Sequence, residues 1–469
     1  MSISTTAYAD GFRCIGAACE DTCCVGWKIP VDLADLERYR SLPASPLKSQ
    51  IIAAIEPAPA QAAASRPDAP LSSTPPAMMR MKEDGRCPMF TDDRRCTIHA
   101  QLGEDFLPGV CASFPRVQRQ LGPVTETALA LSCPEAARLV LLGKTLLSRS
   151  QRSASLLSSA LPTQSNSSGS PSDAPPWYAE IRSTTLALIT SRNLPIWERL
   201  YCLCLLCHRL DSIESGQIRD DIPDYLAAVR SSATPGAHAA QIKSLPFDPE
   251  AQLDAVLRLS GLMLHRSTVT PRFAQCIAAF TSGIGNGPAA NLATLTAGYS
   301  SAYRRWFAPF ERRNPHILEN YLINLVVLHR FPFGLPTDPP SDEPTNGRAF
   351  VRLTAQFALT RGLLIGVAGH HRELFSPDHA VHTVQAISRH FEHHPEFLTS
   401  AQTLLAESRL DGIAGLSILL RNTPPRPSLP IAPSIPASIP AYFDAGLPRP
   451  PTEPVVPGPP AGDRAPRSQ

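Results

Sequence analysis

Four cysteines fall close together in "FRCIGAACEDTCCVGWKI", residues 12–29, spaced C-x4-C-x3-C-C as Cys14, Cys19, Cys23 and Cys24. Cys87, Cys96, Cys111 and Cys133 follow, so eight of the twelve cysteines precede residue 147. Thiols gathered this way serve a disulfide knot, a metal centre or a reactive pair. Thiolates are soft ligands, and four of them close a tetrahedral zinc site or hold an iron–sulfur cluster. Gly16 and Gly26 bound the first group and let its loop curl so that sulfurs converge. Successive side chains diverge, so one of Cys23 and Cys24 serves a role apart from its neighbour's. Eight cysteines also suffice for two ions. Cys133 precedes a helix signal, where the macrodipole favours a thiolate. That makes it a ligand or a reactive thiol, with a buried capping residue as the plain alternative.

The other chemistry-bearing residues carry less. Cys202, Cys204 and Cys207 sit among leucines in "YCLCLLCHRL", and Cys276 in "FAQCIAAF"; core packing is the expectation for all four. The histidines of "GHH" (369–371) and "RHFEHH" (389–394) suit a polar helix end as well as a ligand or base. "SGIGNG" (282–287) follows an apparent helix where a nucleotide loop needs a strand, so it reads as a turn. Inside the apolar run "HILENYLINLVV", Glu319, Asn320 and Tyr321 form a polar group. A buried acid there needs a partner, which is either a substrate or cofactor or a structural hydrogen-bond network.

The elements that must position these residues divide the chain. Residues 8–147 form a cysteine-rich metal-binding region with an Ala/Pro/Ser insertion near 54–78. A Ser-rich linker spans 148–175, a helical domain 176–422, and a Pro-rich tail 423–469, where fifteen of the forty-nine prolines lie. Those low-complexity compositions cannot bury enough apolar surface to offset chain ordering, so linkers and a disordered tail are expected. In 176–422, apolar residues recur every three or four positions in "WYAEIRSTTLALITSRN", "LPIWERLYCLCLLCHRLDSI", "PEAQLDAVLRLSGLMLHR", "PHILENYLINLVVLHRF" and "AFVRLTAQFALTRGLLIGVAG". "MRMKEDGRCPMFTDDRRCTIH" reads as short strands about the turns Asp84-Gly85 and Asp92-Asp93, with Cys87 and Cys96 on neighbouring strand ends. "SCPEAARLVLLGKTLL" reads as a helix capped by Ser132 or Cys133, with Pro134 in its first turn. The fold class expected is mainly α: a small cysteine-rich lobe with short strands, packed on a larger helical domain.

A formal charge of +2 and a pI near 8.0 leave no electrostatic footprint for nucleic acid. No run reaches the roughly 18 uninterrupted apolar residues of a membrane span. "MSISTTAYADGF" has neither the basic nor the apolar region of a secretory signal. The expectation is a cytoplasmic protein with no membrane partner. A reducing compartment disfavours a disulfide knot and leaves metal binding or catalysis.

With these surroundings, the cysteine pattern resembles the flagellin lysine-N-methylase family. The match runs through F-x-C-x-G-x-x-C-x-D-x-C-C-x-G-W-x-I, then "RCPMF", "RCTIHAQLGED", "VCASFPR" and "LSCPEAARL", and in the helical half "HILENYLINLVV", "RFPFG", "GLLIG" and "VQAISRHFEHH". It spans roughly residues 8–410. The insertion, the Ser-rich linker and the tail depart from the family without touching the cysteines. The resemblance implies methyl transfer from S-adenosylmethionine to lysines of flagellin. It also implies an iron–sulfur cluster, with zinc as the alternative, on Cys14, Cys19, Cys23, Cys24, Cys87, Cys96, Cys111 and Cys133. Lysine must attack as the free amine although its ordinary pKa is about 10.4, so a base or apolar channel is required. Glu319 and Tyr321 are the candidate catalytic residues. The displacement itself needs no iron, so a structural role for the metal is expected. The competing class is a non-enzymatic iron- or zinc-chelating interaction module; a redox protein using Cys23 and Cys24 is a third.

Overall fold

Short strands and capped turns build the N-terminal part of the computed structural model. It describes residues 7–422 except 27, 59–75, 122–123, 145, 147–176, 215–221, 233–237, 267–268, 286, 288–289, 335–344 and 392–395. Most of the Ala/Pro/Ser insertion, the Ser-rich linker and the Pro-rich tail lie outside the described residues. The described residues belong to one compact unit.

Three strands, β1 (Pro30–Val31), β2 (Ile55–Pro57) and β3 (Ala77–Met79), form an antiparallel sheet in the order β1-β3-β2. The register pairs Pro30 with Met78 and Ile55 with Met79. Two helices lie between β1 and β2. The first, α1 (Leu33–Ser41), starts where the Asp32 carboxylate accepts the Asp35 N–H at 2.7 Å. The second, α2 (Pro46–Ala53), starts where Ser45 Oγ accepts the Lys48 N–H, with Pro46 in the first turn. These elements enclose a small core of Ile29, Val31, Tyr39, Ile51, Met79, Met89 and Ile98, with Cys87 in it and Cys24, Cys96 and Cys111 packed against it.

The stretch 80–96 holds less strand than its sequence suggests. It contributes two isolated bridges, Val25 with Arg86 and Phe90 with Cys96. Pro88 lacks a ladder donor, and the Thr91 N–H is spent on Arg95 O within a turn. Cys96 becomes the N-cap of the short helix Thr97–Leu102. A hairpin follows, β4 (Arg116–Leu121) with β5 (Val124–Leu129), and then α3 (Pro134–Leu142) with Cys133 as N-cap and Pro134 in the first turn. The buried side of β5 and that of α3 join the large core rather than the small one.

The remainder is helical: α4 (Tyr178–Ile189), α5 (Ile196–Glu214), α6 (Ile222–Ser232), α7 (Pro249–Arg266), α8 (Pro271–Gly283), α9 (Leu292–Ala302), α10 (Pro315–Leu328), α11 (Thr345–His371), α12 (Pro377–Phe391), α13 (Glu396–Glu407) and α14 (Ile413–Leu420). A π-turn at Tyr303–Phe307 follows α9. The protein is mainly α, as the periodicity requires. Helices α10 and α11 are the centre, buried on nearly every face. The apolar window of the 345–374 segment is long enough to cross a membrane, but 89% of it is buried inside the protein, as in a core helix. Gly283, the first glycine of "SGIGNG", ends α8 where it crosses α11. A Cβ there would stand 1.8 Å from Gly366 O, so only glycine permits that approach.

Candidate functional site

The cysteine lobe brings its thiols together by backbone ties. The Cys87 N–H donates to Cys24 O at 2.8 Å, the Phe90 N–H to Cys87 O at 3.0 Å, and Phe90 bridges to Cys96. Each pair among Cys24, Cys87, Cys96 and Cys111 lies close enough for one sulfur's charge to be felt by the other. Cys14, Cys19 and Cys133 form a second neighbourhood that meets the first, since Cys96 feels Cys14 and Cys23 feels both Cys111 and Cys14. The adjacent pair therefore straddles both groups. Among the described residues no three His, Cys, Asp or Glu side chains are drawn into a single ligand cage.

The donor chemistry nevertheless suits a thiolate-bound metal. Sulfurs in the lobe face backbone N–H groups two or three residues on: Cys14 that of Gly16 at 3.4 Å, Cys87 that of Met89, Cys96 those of Ile98 and His99, and Cys133 those of Glu135 and Ala136. Such N–H donors stabilise an anionic sulfur. Burial works against them. It pushes the Cys87 thiol up to about 11 and that of Cys133 up to about 12, the helix N-terminus at Cys133 notwithstanding. Burial and the neighbouring Cys87, Cys24 and Cys96 sulfurs raise the Cys111 thiol well above its ordinary value. Cys24 moves the other way, downward, because the Cys23 thiol donates a hydrogen bond to its sulfur; the same bond raises Cys23, so the adjacent side chains converge where the sequence leads one to expect them to diverge. A bound cation is what deprotonates buried thiols of this kind.

The loop carrying Cys19, Cys23 and Cys24 is gripped from the helical domain. Arg389 of α12 forms an ion pair with Asp21 Oδ1 at 2.8 Å and donates to Thr22 O at 3.0 Å and Val25 O at 3.1 Å. Gln385, one turn earlier, donates to Asp21 Oδ2 at 2.7 Å and Ser132 O at 2.9 Å. Glu20 pairs with Arg138 of α3, and Arg94 donates to Cys19 O.

Glu319 and Tyr321 lie elsewhere, inside α10. Glu319 is 4% exposed and takes Arg192 on Oε1 at 2.8 Å and Oε2 at 3.0 Å, and Arg199 on Oε2 at 3.0 Å. Tyr321, fully buried, has its hydroxyl 2.9 Å from Thr360 Oγ1. Asn320 Nδ2 caps the end of α3 through Val140 O and Gly143 O, and Asn324 pairs with both backbone groups of Leu129 in β5. Glu319, Asn320, Tyr321 and Asn324 are therefore brackets between elements.

Cys202, Cys204, Cys207 and Cys276 are buried in the large core. His370 and His371 end α11, with His371 stacked on His379 at 3.8 Å; His393 and His394 lie outside the described residues. A cleft of about 490 Å³, mouth included, is lined by His329, Phe331, Thr345, Arg348 and Arg352. Sequence reasoning missed Asp21, Gln385, Arg389, Arg192 and Arg199. A polar i, i+4 pair within the apolar face of α12 was the available signal for two of them.

A cysteine-rich lobe clasped to a helical domain defines the class, and comparison with known proteins places it. Residues 182–419 match the FliB lysine N-methylase C-terminal domain, and the chain belongs to that family. A lysine-N-methylase of Salmonella choleraesuis is 21% identical over 421 residues, covering 84% of this chain and 93% of the relative. One from Salmonella typhimurium is 21% identical over 412 residues with the same coverage. The flagellar biosynthetic protein FliU of Salmonella muenchen is 27% identical over 145 residues, 30% of this chain and 78% of the relative. No solved structure matches.

Proposed function

We propose that this chain transfers a methyl group from S-adenosylmethionine to lysine side chains of flagellin in the cytoplasm, and that its cysteine lobe holds a thiolate-ligated metal centre, an iron–sulfur cluster before zinc. The observation that carries the methylase reading is the match of residues 182–419 to a lysine N-methylase domain. The flagellar substrate rests on the name of the FliU relative and on the resemblance of the cysteine motifs. S-adenosylmethionine supplies an electrophilic methyl on sulfonium sulfur. The lysine nitrogen forms the new N–C bond as the C–S bond breaks, the pair of electrons leaving on sulfur.

The metal reading rests on the donor set. Cys24, Cys87, Cys96 and Cys111 would supply four sulfurs around one core, with the neighbouring N–H groups supporting their charge. Its work is structural: the small core is too slight to hold its loops by burial alone. Glu319, with both oxygens engaged by arginines, supports the fold in this reading. A Glu319→Gln variant that folds and still methylates assigns it there; one that folds and loses methylation makes it the proton acceptor.

The test is mass spectrometry of flagellin produced with and without this protein, alongside metal analysis of anaerobically purified protein. Lysines gaining whole methyl masses are expected. No gain at any lysine, with flagellin fully covered, overturns the reading and leaves a non-enzymatic chelating module.

A further inference from the structure

Gln385 is buried and Arg389 partly buried on α12, which also buries Thr383, Ser388 and His390, and every bond given to Gln385 and Arg389 crosses to a cysteine-bearing segment. Gln385 is fully buried, and Arg389 and Asp21 are 16% and 18% exposed in their side chains. Asp21 lies between Cys19 and Cys23. Thr22 and Val25 bracket Cys23 and Cys24, and Ser132 precedes Cys133. One turn of α12 therefore governs the backbone beside four cysteines from two distant segments.

The orientation of Gln385 is itself informative. Its amide nitrogen faces a carboxylate and a carbonyl, so the flipped amide would set oxygen against oxygen. Both amide protons are spent, and Oε1 is left buried without a hydrogen-bond partner among the described residues. Leaving a buried acceptor unmet costs stability. That cost is accepted only where the two donor bonds must be kept. Arg389 supplies the rest of the grip, since a planar guanidinium reaches a carboxylate and two carbonyls at once.

We propose that Gln385, Arg389 and Asp21 form a clasp that positions the loop from Cys19 to Val25 and the backbone beside Cys133, and that through Cys24 it couples the four-sulfur metal centre to the methylase domain. They are positioning residues, acting on the cysteines through the backbone. The proposal rests on the metal-centre reading for its consequence and on the clasp geometry for its mechanism, and the experiment separates the two.

Arg389→Gln, Arg389→Lys, Gln385→Leu and Asp21→Asn are compared with the unaltered protein in two measurements. The first is the rate of metal release to a chelator, with the absorption spectrum of the centre recorded. The second is hydrogen exchange of residues 14–28 against that of α10. Arg389→Gln and Gln385→Leu are expected to release metal about 10- to 100-fold faster, as loss of outer partners of a metal site does. Exchange in 14–28 should rise while α10 stays protected. Arg389→Lys should recover part of the grip, and Asp21→Asn, at a partly exposed position, provides a variant that folds if a buried change does not. Unchanged release and unchanged exchange overturn the clasp. If the unaltered protein carries no metal, the metal-centre reading falls, and exchange in 14–28 alone decides the clasp.

Discussion

Glu319, the candidate catalytic carboxylate, is held between two arginines of very different exposure. Arg199 and Glu319 are each about 6% exposed in their side chains, whereas Arg192, the second guanidinium, is 51% exposed. Removing one partner of a buried pair strands the other charge. Arg199→Ala should therefore destabilise the fold by about 3–5 kcal/mol. Arg192→Ala should cost less than about 1 kcal/mol, because water screens that contact. Urea unfolding of both variants checks the difference; equal losses would mean that the two arginines share the carboxylate evenly. Cys133 teaches a related lesson. A helix N-terminus lowers a thiol only when burial does not outweigh it, and here burial lifts the thiol to about 12.

At the scale of elements, two helices carry the organisation. Polar residues of α10 tie it to the segment between α4 and α5, to α5 itself, to α3 and to β5, which is why a run so apolar tolerates Glu319, Asn320 and Asn324. The α8–α11 crossing is set by glycines. A Cβ on Gly366 would meet the Phe280 ring at 2.3 Å and Phe280 O at 2.8 Å. The backbone oxygen cannot rotate away, so Gly366→Ala should cost about 1–3 kcal/mol and lower the midpoint of thermal unfolding. An unshifted midpoint would show that the crossing widens freely. The glycines of "SGIGNG" were legible as a turn, but their packing duty was not, because the partner glycine lies some eighty positions away.

At the scale of the whole molecule, two cores of very different size share one compact unit. The small one rests on thirteen buried apolar side chains including Cys87, fewer than a free-standing domain of that length usually needs. Stripping metal with a strong chelator should therefore raise hydrogen exchange across α1, α2 and β1–β3 and leave α10 and α11 protected. Exchange rising equally in both parts would mean that the cores unfold as one. Equal protection before and after would mean that burial and the α12 clasp suffice without metal.

The amino-acid sequence by itself determined the helical class, the family and the start of α3 at Ser132 or Cys133, because periodicity, thiol spacing and cap chemistry are local properties; the structure chose Cys133 as the cap. Tertiary structure alone decided how the cysteines group, since Cys24 meets Cys87 through a backbone bond across sixty-odd residues. It alone turned Glu319 toward arginines from two other elements, and joined Asp21 to Gln385 and Arg389 more than three hundred and sixty positions on. Contacts at such separations leave no period in the chain. They exist only once the cores have formed and charged groups removed from water must find partners. The adjacent pair, Cys23 and Cys24, marks the boundary: successive side chains are expected to diverge, whereas the fold brings the two sulfurs into hydrogen-bond contact, with Cys111 and Cys14 both near Cys23 and with Cys24 among Cys87, Cys96 and Cys111.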